Sequence, residues 1–157
     1  MRAIVFSDSH GHLDHAVRSL KEAGPVDLII HAGDFYRDAA ILAAETNLPV
    51  RAVMGNCDLY DEGPQELVLE LAGHRILLVH GNAFASKHRF GKLALQAAGI
   101  GADTVVFGHS HAAGFIREDG VLLFNPGSIA RPRDHDQPSY GILEIDENGV
   151  RPAIRRI

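Results

Sequence analysis

The sequence predicts an α/β fold that opens with parallel strands and closes with antiparallel hairpins. Three observations carry that expectation. Short apolar runs alternate with stretches of helical periodicity up to about Met54, the pattern then shifts to period two near 67–71, and turn dipeptides punctuate the last third. In order, Arg2 to Phe6 reads as a strand ending at Ser7-Asp8, and Leu13, Ala16, Val17 and Leu20 mark one face of a helix stopped by Gly24-Pro25. Asp27 to His31 is a second strand, ending at Ala32-Gly33-Asp34. Asp38 is placed to cap a helix through about Glu45, and Val50 to Met54 supplies a third strand before Gly55-Asn56-Cys57-Asp58. A βαβαβ opening implies right-handed crossovers between parallel strands.

The middle and end follow. Leu67, Leu69 and Leu71 alternate with other residues, and Ala72-Gly73-His74 turns into Arg75 to His80, an antiparallel pair. Phe90, Leu93, Ala94 and Ala97 make another helical stripe closed by Gly99 and Gly101, and Asp103 to Phe107 is a strand ending in Gly108-His109. Segments near 113–117, 121–124, 139–146 and 150–156 read as short strands. Asp119-Gly120 and Asn148-Gly149 are turns between them, and Pro152 suggests an edge.

Composition narrows the functional classes. The 157 residues, 46% of them hydrophobic, suit one domain over 1–157 with a buried core. Fifteen Lys+Arg against 20 Asp+Glu give a net charge of −5, so no basic footprint for a stable nucleic-acid complex is expected. The longest apolar stretch, Ala39 to Ala44, is far short of the ~20 residues of a membrane span. The apolar run after Met1 is too short for a signal peptide, and the lone Cys57 excludes an internal disulfide, so a cytoplasmic location is expected. The ten histidines are the surplus.

Five strands each end in a polar cluster: Ser7-Asp8-Ser9-His10-Gly11, Gly33-Asp34, Gly55-Asn56-Cys57-Asp58, His80-Gly81-Asn82 and Gly108-His109-Ser110-His111. The carboxyl ends of parallel strands share one rim, so these clusters can converge. They offer two carboxylates, one amide and four imidazoles in Asp8, His10, Asp34, Asn56, His80, His109 and His111, a mixed N/O metal shell. Seven groups suit two ions with Asp34 as bridge. Two divalent ions less two carboxylates leave a site of about +2, which attracts anions and favours phosphate-ester hydrolysis. Asp34 and Asn56 are therefore also catalytic candidates, and His12, adjoining the Asp8 loop, could touch a leaving group.

In order and spacing these motifs resemble those of the calcineurin-like metallophosphoesterases. The length, Gly55-Asn56-Cys57-Asp58 and Asn125-Pro126-Gly127-Ser128 are similar to the small single-domain phosphodiesterase branch, over residues 1 to about 133. The resemblance implies a sandwich of two mixed β-sheets flanked by helices, and a metal-bound hydroxide attacking a phosphodiester. It implies Asp8, His10, Asp34 and His111 around one metal, and Asp34, Asn56, His80 and His109 around the other. The implied cofactors are two divalent ions, Mn²⁺ first, with Ni²⁺, Zn²⁺, Fe²⁺ or Co²⁺ possible in the same shell, and the partner a small phosphate ester or nucleotide. Two departures stand out. Cys57 occupies the position where larger relatives carry a proton-donating His, and Asn82 replaces a second His after His80-Gly81.

Blander readings compete. Singly, Asp8-Ser9 could cap a helix, and Gly33-Asp34 or Asn56 to Asp58 could be turns. Together, five clusters at strand ends favour a site. His15, His74 and His135 read as surface residues and His31 as a strand residue, while Cys57 has no base beside it to make a nucleophile. Lys87, His88, Arg89, Arg131 and Arg133 could contact phosphate, although a solvated face is the simpler account. His135-Asp136 resembles the dyad of all-helical phosphohydrolases, against the strand pattern. The alternatives to a phosphodiesterase are a phosphomonoesterase or a protein-binding scaffold of the same fold that has lost catalysis; a scaffold would lack some of the seven ligand candidates.

Overall fold

Alternation along each strand sends every second side chain to the same sheet face, and here one face of each sheet meets the other sheet while helices pack on the opposite face. The computed structural model describes residues 1–84 and 88–157, so Lys87 lies outside the described residues. The first sheet runs β10-β9-β1-β2-β3. Its strands are β1 (Arg2–Phe6), β2 (Leu28–His31), β3 (Val50–Ala52), β9 (Ser139–Asp146) and β10 (Gly149–Arg156). The second runs β4-β5-β6-β8-β7, with β4 (Glu66–Leu71), β5 (His74–Val79), β6 (Thr104–Val106), β7 (Gly114–Glu118) and β8 (Val121–Asn125). Both sheets are mixed. β1, β2 and β3 pair in parallel, as do β5, β6 and β8, while β9, β10, β4 and β7 pair antiparallel with their neighbours. The edge expected from Pro152 is β10.

Ala3 and Val5 of β1 face the second sheet, meeting a layer that includes Ile76, Leu78, Val106 and Phe124. Ile4 and Phe6 face the other way, under helices α1 (Asp14–Ala23) and α2 (Tyr36–Thr46), against Ala16 and Leu42. On the far side of the second sheet, Leu77, Val105 and Leu123 pack under Leu93, Ala94 and Ala97 of α3 (Arg89–Gly99). The sandwich flanked by helices is thus the fold. Among the described residues no helix is long and apolar enough to cross a membrane.

Two local expectations need correction. Asp38 does not cap α2: it is buried, and it accepts hydrogen bonds from Ser9 Oγ at 2.6 Å and the Gly11 amide at 2.9 Å. The helix starts earlier, where Asp58 Oδ1 receives the amides of Phe35 and Tyr36 at 2.7 and 2.8 Å, so the cap comes from a loop more than twenty positions away. His74 is not in the turn but opens β5, at the end of the sandwich away from the strand-end rim. There its Nδ1 lies 2.6 Å from Asp103 Oδ2 and its Nε2 2.9 Å from the Asp146 carbonyl, joining the two sheets.

The Asp103 hydrogen bond raises the pKa of His74 above its ordinary value, against a smaller opposing effect of desolvation. Asp103 is the carboxylate facing it, since the Asp146 carboxylate is bound by Arg151. A pKa raised on folding contributes stability that is complete below the unfolded value near 6.5 and is lost as pH rises through the folded value. His74→Ala should therefore lower the urea midpoint more at pH 5.5 than at pH 8.5. An equal loss at both would show that the ring acts by packing alone.

Candidate metal centre

The rim at the carboxyl ends of β1, β2, β3, β5 and β6 gathers the polar loops, and their backbone is bent to do so. Nine non-glycine residues have positive φ among those described, and five of them are Asp8, His10, Asp34, His109 and His111. Left-handed backbone is costly for such residues. Its concentration here indicates that side-chain placement outweighs local preference.

Each carboxylate is half committed to the protein. Asp8 Oδ2 accepts from Ser7 Oγ at 2.6 Å and from the His109 amide at 3.1 Å, whereas buried Oδ1 has no hydrogen bond and faces His111 Nε2 at 3.1 Å. Asp34 Oδ1 accepts the Cys57 amide at 2.9 Å and lies 3.4 Å from His80 Nε2, while Oδ2 lies 3.8 Å from His10 Nε2. Burial opposes the charge on Asp8, but the His111 and His80 imidazoles and the Ser7 hydroxyl outweigh it and hold the carboxyl below its usual range.

The histidines are oriented from behind. His80 Nδ1 pairs with the Ala32 carbonyl at 2.7 Å and His111 Nδ1 with the Arg131 carbonyl at 2.6 Å. A carbonyl can only accept, so each Nδ1 carries a proton and each Nε2 is turned to the site, as a lone pair when the ring is neutral. For His80 that nitrogen lies 3.2 Å from Asn56 Oδ1 and 3.4 Å from Asp34 Oδ1, and with the ring neutral no hydrogen stands among the three. Around Asp34 Oδ2 a second group forms. One ligand atom each from Asp8, His10, Asp34 and His111 lies within 4.8 Å of all the others, and buried His10 Nε2 has no hydrogen-bond partner. Burial lowers the pKa of His10 and of His109, which favours the neutral rings that ligate metals, whereas the contact with the Asp8 carboxylate raises that of His111. The His109 ring stands 5.2 Å from that of His80, centroid to centroid. Orphaned oxygens and bare imidazole nitrogens in one place fit divalent cations.

All seven candidates thus meet at one rim, and a cavity of about 360 Å³ opens over them, lined also by Cys57, Arg131, Pro132 and Arg133. His12 is different. After the left-handed residues His10 and Gly11 it is exposed and does not line this cavity. Arg131 and Arg133 are exposed, as a solvated face implies, and they also line this cavity. Partial burial and then the Asp34 carboxylate push the Cys57 thiol up to about 11, which agrees with its reading as no nucleophile.

Several supporting residues had no role assigned from the sequence. Gly33 N–H donates to His31 Nδ1 at 3.3 Å, so Nε2 carries the proton and donates to Ser9 Oγ at 2.9 Å, and Ser9 in turn donates to Asp38. This buried relay braces the Asp8 loop against the Asp34 loop. A histidine in an otherwise apolar strand beside Gly33-Asp34 was the available signal. Ser128 Oγ donates to the Asp8 carbonyl at 2.8 Å and accepts the Ala130 and Arg131 amides, so the Asn125 to Ser128 turn is a brace too.

The comparisons with known proteins agree with this geometry. Residues 1–148 match the family model described as the calcineurin-like phosphoesterase superfamily domain. The chain belongs to that superfamily. It is 36% identical over 152 residues, 96% of the chain and 88% of the relative, to the probable metallophosphoesterase YsnB of Bacillus subtilis. It is 34% identical over 106 residues, 62% of the chain and 53% of the relative, to phosphodiesterase YfcE of Escherichia coli K12. A predicted phosphoesterase from Streptococcus pneumoniae TIGR4 superposes with a TM-score of 0.82 at 32% identity, covering 99% of this chain and 88% of that one. Vps29 of Entamoeba histolytica, solved with Zn²⁺, gives a TM-score of 0.75 over 99% of both chains; at 18% identity it shares the fold alone. A metal-dependent phosphoesterase is the function this family membership and the Asp/His cluster support.

Glycines let the clusters approach. A methyl group at Gly55 would overlap both Asp34 Oδ1 and the Asp34 backbone nitrogen, atoms fixed by the Cys57 hydrogen bond and by the chain itself. Overpacking of this kind costs about 1–3 kcal/mol, equivalent to roughly 2–12 °C for a domain of this size. Gly55→Ala should lower the melting temperature by that amount and weaken Mn²⁺ binding in calorimetry. An unchanged melt with unchanged binding would show that the loop yields freely.

Proposed function

We propose that the protein hydrolyses phosphate esters, diesters in preference to monoesters, using two divalent cations at the strand-end rim. Asp8, His10, Asp34 and His111 hold one, and Asp34, Asn56, His80 and His109 the other, with Asp34 shared. The observation that carries this reading is the convergence of two groups of ligand atoms on Asp34: His80 and Asn56 gather on the side of Oδ1, and His10, with Asp8 and His111, on the side of Oδ2. Cations held there would supply Lewis acidity toward phosphoryl oxygens and would acidify a water. Mn²⁺ is the first choice, and other divalent transition metals suit the same N/O shell.

The chain's own groups do the rest. The Ala32 and Arg131 carbonyls keep the His80 and His111 rings in the ligating tautomer. Arg131 and Arg133 present guanidinium groups to the cavity, suited to bidentate contact with non-bridging phosphoryl oxygens. Diester preference follows the relatedness to a phosphodiesterase and the branch the motifs resemble. A scaffold role has less support, because a partner-binding surface does not require these seven side chains to meet.

Apart from the proposed ligands, the proton-bearing groups on the cavity wall among the described residues are Cys57 and two arginines, none an acid near neutral pH. Departing alkoxides are thus left without a proton donor, and activity should fall steeply as leaving-group pKa rises. The experiment is hydrolysis of bis(p-nitrophenyl) phosphate and its monoester by chelator-stripped protein with Mn²⁺ restored, an Asn56→Ala control, and a series of aryl esters. Metal-dependent turnover that Asn56→Ala largely removes is expected. No metal-dependent turnover would overturn the proposal, and a flat aryl series would remove the claim about the missing acid.

A further inference from the structure

The loop from His109 to Ala113 has two faces. His109 and His111 line the metal-centre cavity, whereas Ser110 and Ala112 line a second cleft of about 420 Å³. Its aromatic walls are Phe90 on α3, Phe107 after β6 and Phe115 on β7, and Arg89 stands at the start of α3. The Phe90 and Phe107 rings meet edge to face at 6.3 Å. Phe90 and Phe115 remain 43% and 50% exposed, so open ring surface faces the cleft although the helical stripe of α3 is otherwise buried.

The polar equipment is sparse and specific. Ser110 Oγ accepts from Asn125 Nδ2 at 3.0 Å and from the Ala112 amide at 3.3 Å, and its own hydrogen has no acceptor among the described residues. A hydroxyl with both lone pairs engaged is fixed as a donor. Arg89 puts a cationic side chain on the lining of this cleft. An aromatic cleft with one fixed donor, a few residues from a phosphoryl-binding rim, matches a flat ring with acceptor atoms on its edge and a phosphate on its tail. A plain aryl group has no use for the donor, and an acyl chain none for the open ring faces.

We infer that this cleft seats the nucleobase of a nucleoside phosphodiester whose phosphoryl group lies at the metal centre, with Ser110 donating to the ring edge and Phe115 and Phe90 stacking on its faces. The inference rests on the phosphoesterase reading and names its substrate class. Phe115 and Phe90 are then specificity-determining residues, in contact with the part of the ester that does not react.

Two experiments separate the two claims. The first compares thymidine 5′-(p-nitrophenyl phosphate) with methyl p-nitrophenyl phosphate on the Mn²⁺-loaded protein; both release p-nitrophenolate and differ only in the group that the cleft would hold. The thymidine ester should have the higher kcat/KM by about tenfold, and Phe115→Ala, at a half-exposed position on an edge strand, should reduce that ratio at least about fivefold. The second titrates free thymidine and adenosine into chelator-treated protein followed by amide NMR, with no metal and no turnover. Saturable shifts at Ser110, Phe115 and Ile116 are expected, lost in Phe115→Ala. Equal kcat/KM for the two esters, or nucleoside titrations without saturable shifts in the cleft, would overturn the inference while leaving the hydrolytic reading in place. Failure to turn over either ester would overturn the hydrolytic reading and with it the substrate class.

Discussion

Asp34→Ala should reduce kcat/KM for bis(p-nitrophenyl) phosphate by at least about a thousandfold, the largest effect expected of any substitution in the chain. Its two oxygens serve different neighbours: Oδ1 faces His80 and Asn56, and Oδ2 faces His10. Removing a side chain shared between both groups would disable both of the proposed cation positions together, and several kcal/mol of transition-state stabilisation from metal ions correspond to about three powers of ten. The fold should survive. Among the described residues Asp34 makes one hydrogen bond through its carboxylate to the backbone, from the Cys57 amide, at a net value of about 1 kcal/mol. Metal analysis after dialysis should show the variant retaining less than half of the wild-type content. A well-folded variant with wild-type turnover would remove Asp34 from the centre of the site.

Divalent cations should also raise the melting temperature by about 5–15 °C. A ligand that binds only the folded state at a hundred to a thousand times its dissociation constant stabilises it by about 3–4 kcal/mol, and a domain of this length shifts by about 2–4 °C per kcal/mol. The buried Asp8 oxygen and His10 nitrogen without partners are costs that the metal-free protein carries and that a bound cation would relieve. Scanning calorimetry in EDTA and then in excess Mn²⁺ measures the difference, and Asp34→Ala should show little of it. Identical melts under the two conditions would mean that the rim does not hold a metal with useful affinity.

Much of this molecule was legible in its sequence. The parallel opening followed from apolar runs separated by 3.6-periodic stretches, and β10 at the edge from Pro152. The seven candidate ligands were readable because each stands where an apolar run ends, and strand ends on one side of a sheet share a rim. Those inferences need only local periodicity. The sandwich of two sheets came from the motif resemblance, since a residue's facing partner across a core leaves no periodic trace.

Other features were settled only when distant segments met. The His109 amide reaches Asp8 across 101 positions, and His80 finds its carbonyl partner 48 positions away at Ala32. Asp38 read as a helix cap because that is what an aspartate at a helix start usually is. Tertiary packing instead sends it to Ser9 and Gly11 and leaves the cap to Asp58. Arg131 and Arg133 read as solvated charges and are exposed, and only the chain's return past the rim sets them beside the cavity as well. The sequence by itself determined which groups could ligate and on which edge they gather, because side-chain type and backbone period are local properties. The tertiary structure decided which nitrogen of His10, His80 and His111 is turned to the site, which carboxylate oxygen is left open and which cleft adjoins the site, because those depend on contacts between segments that are neighbours only after folding.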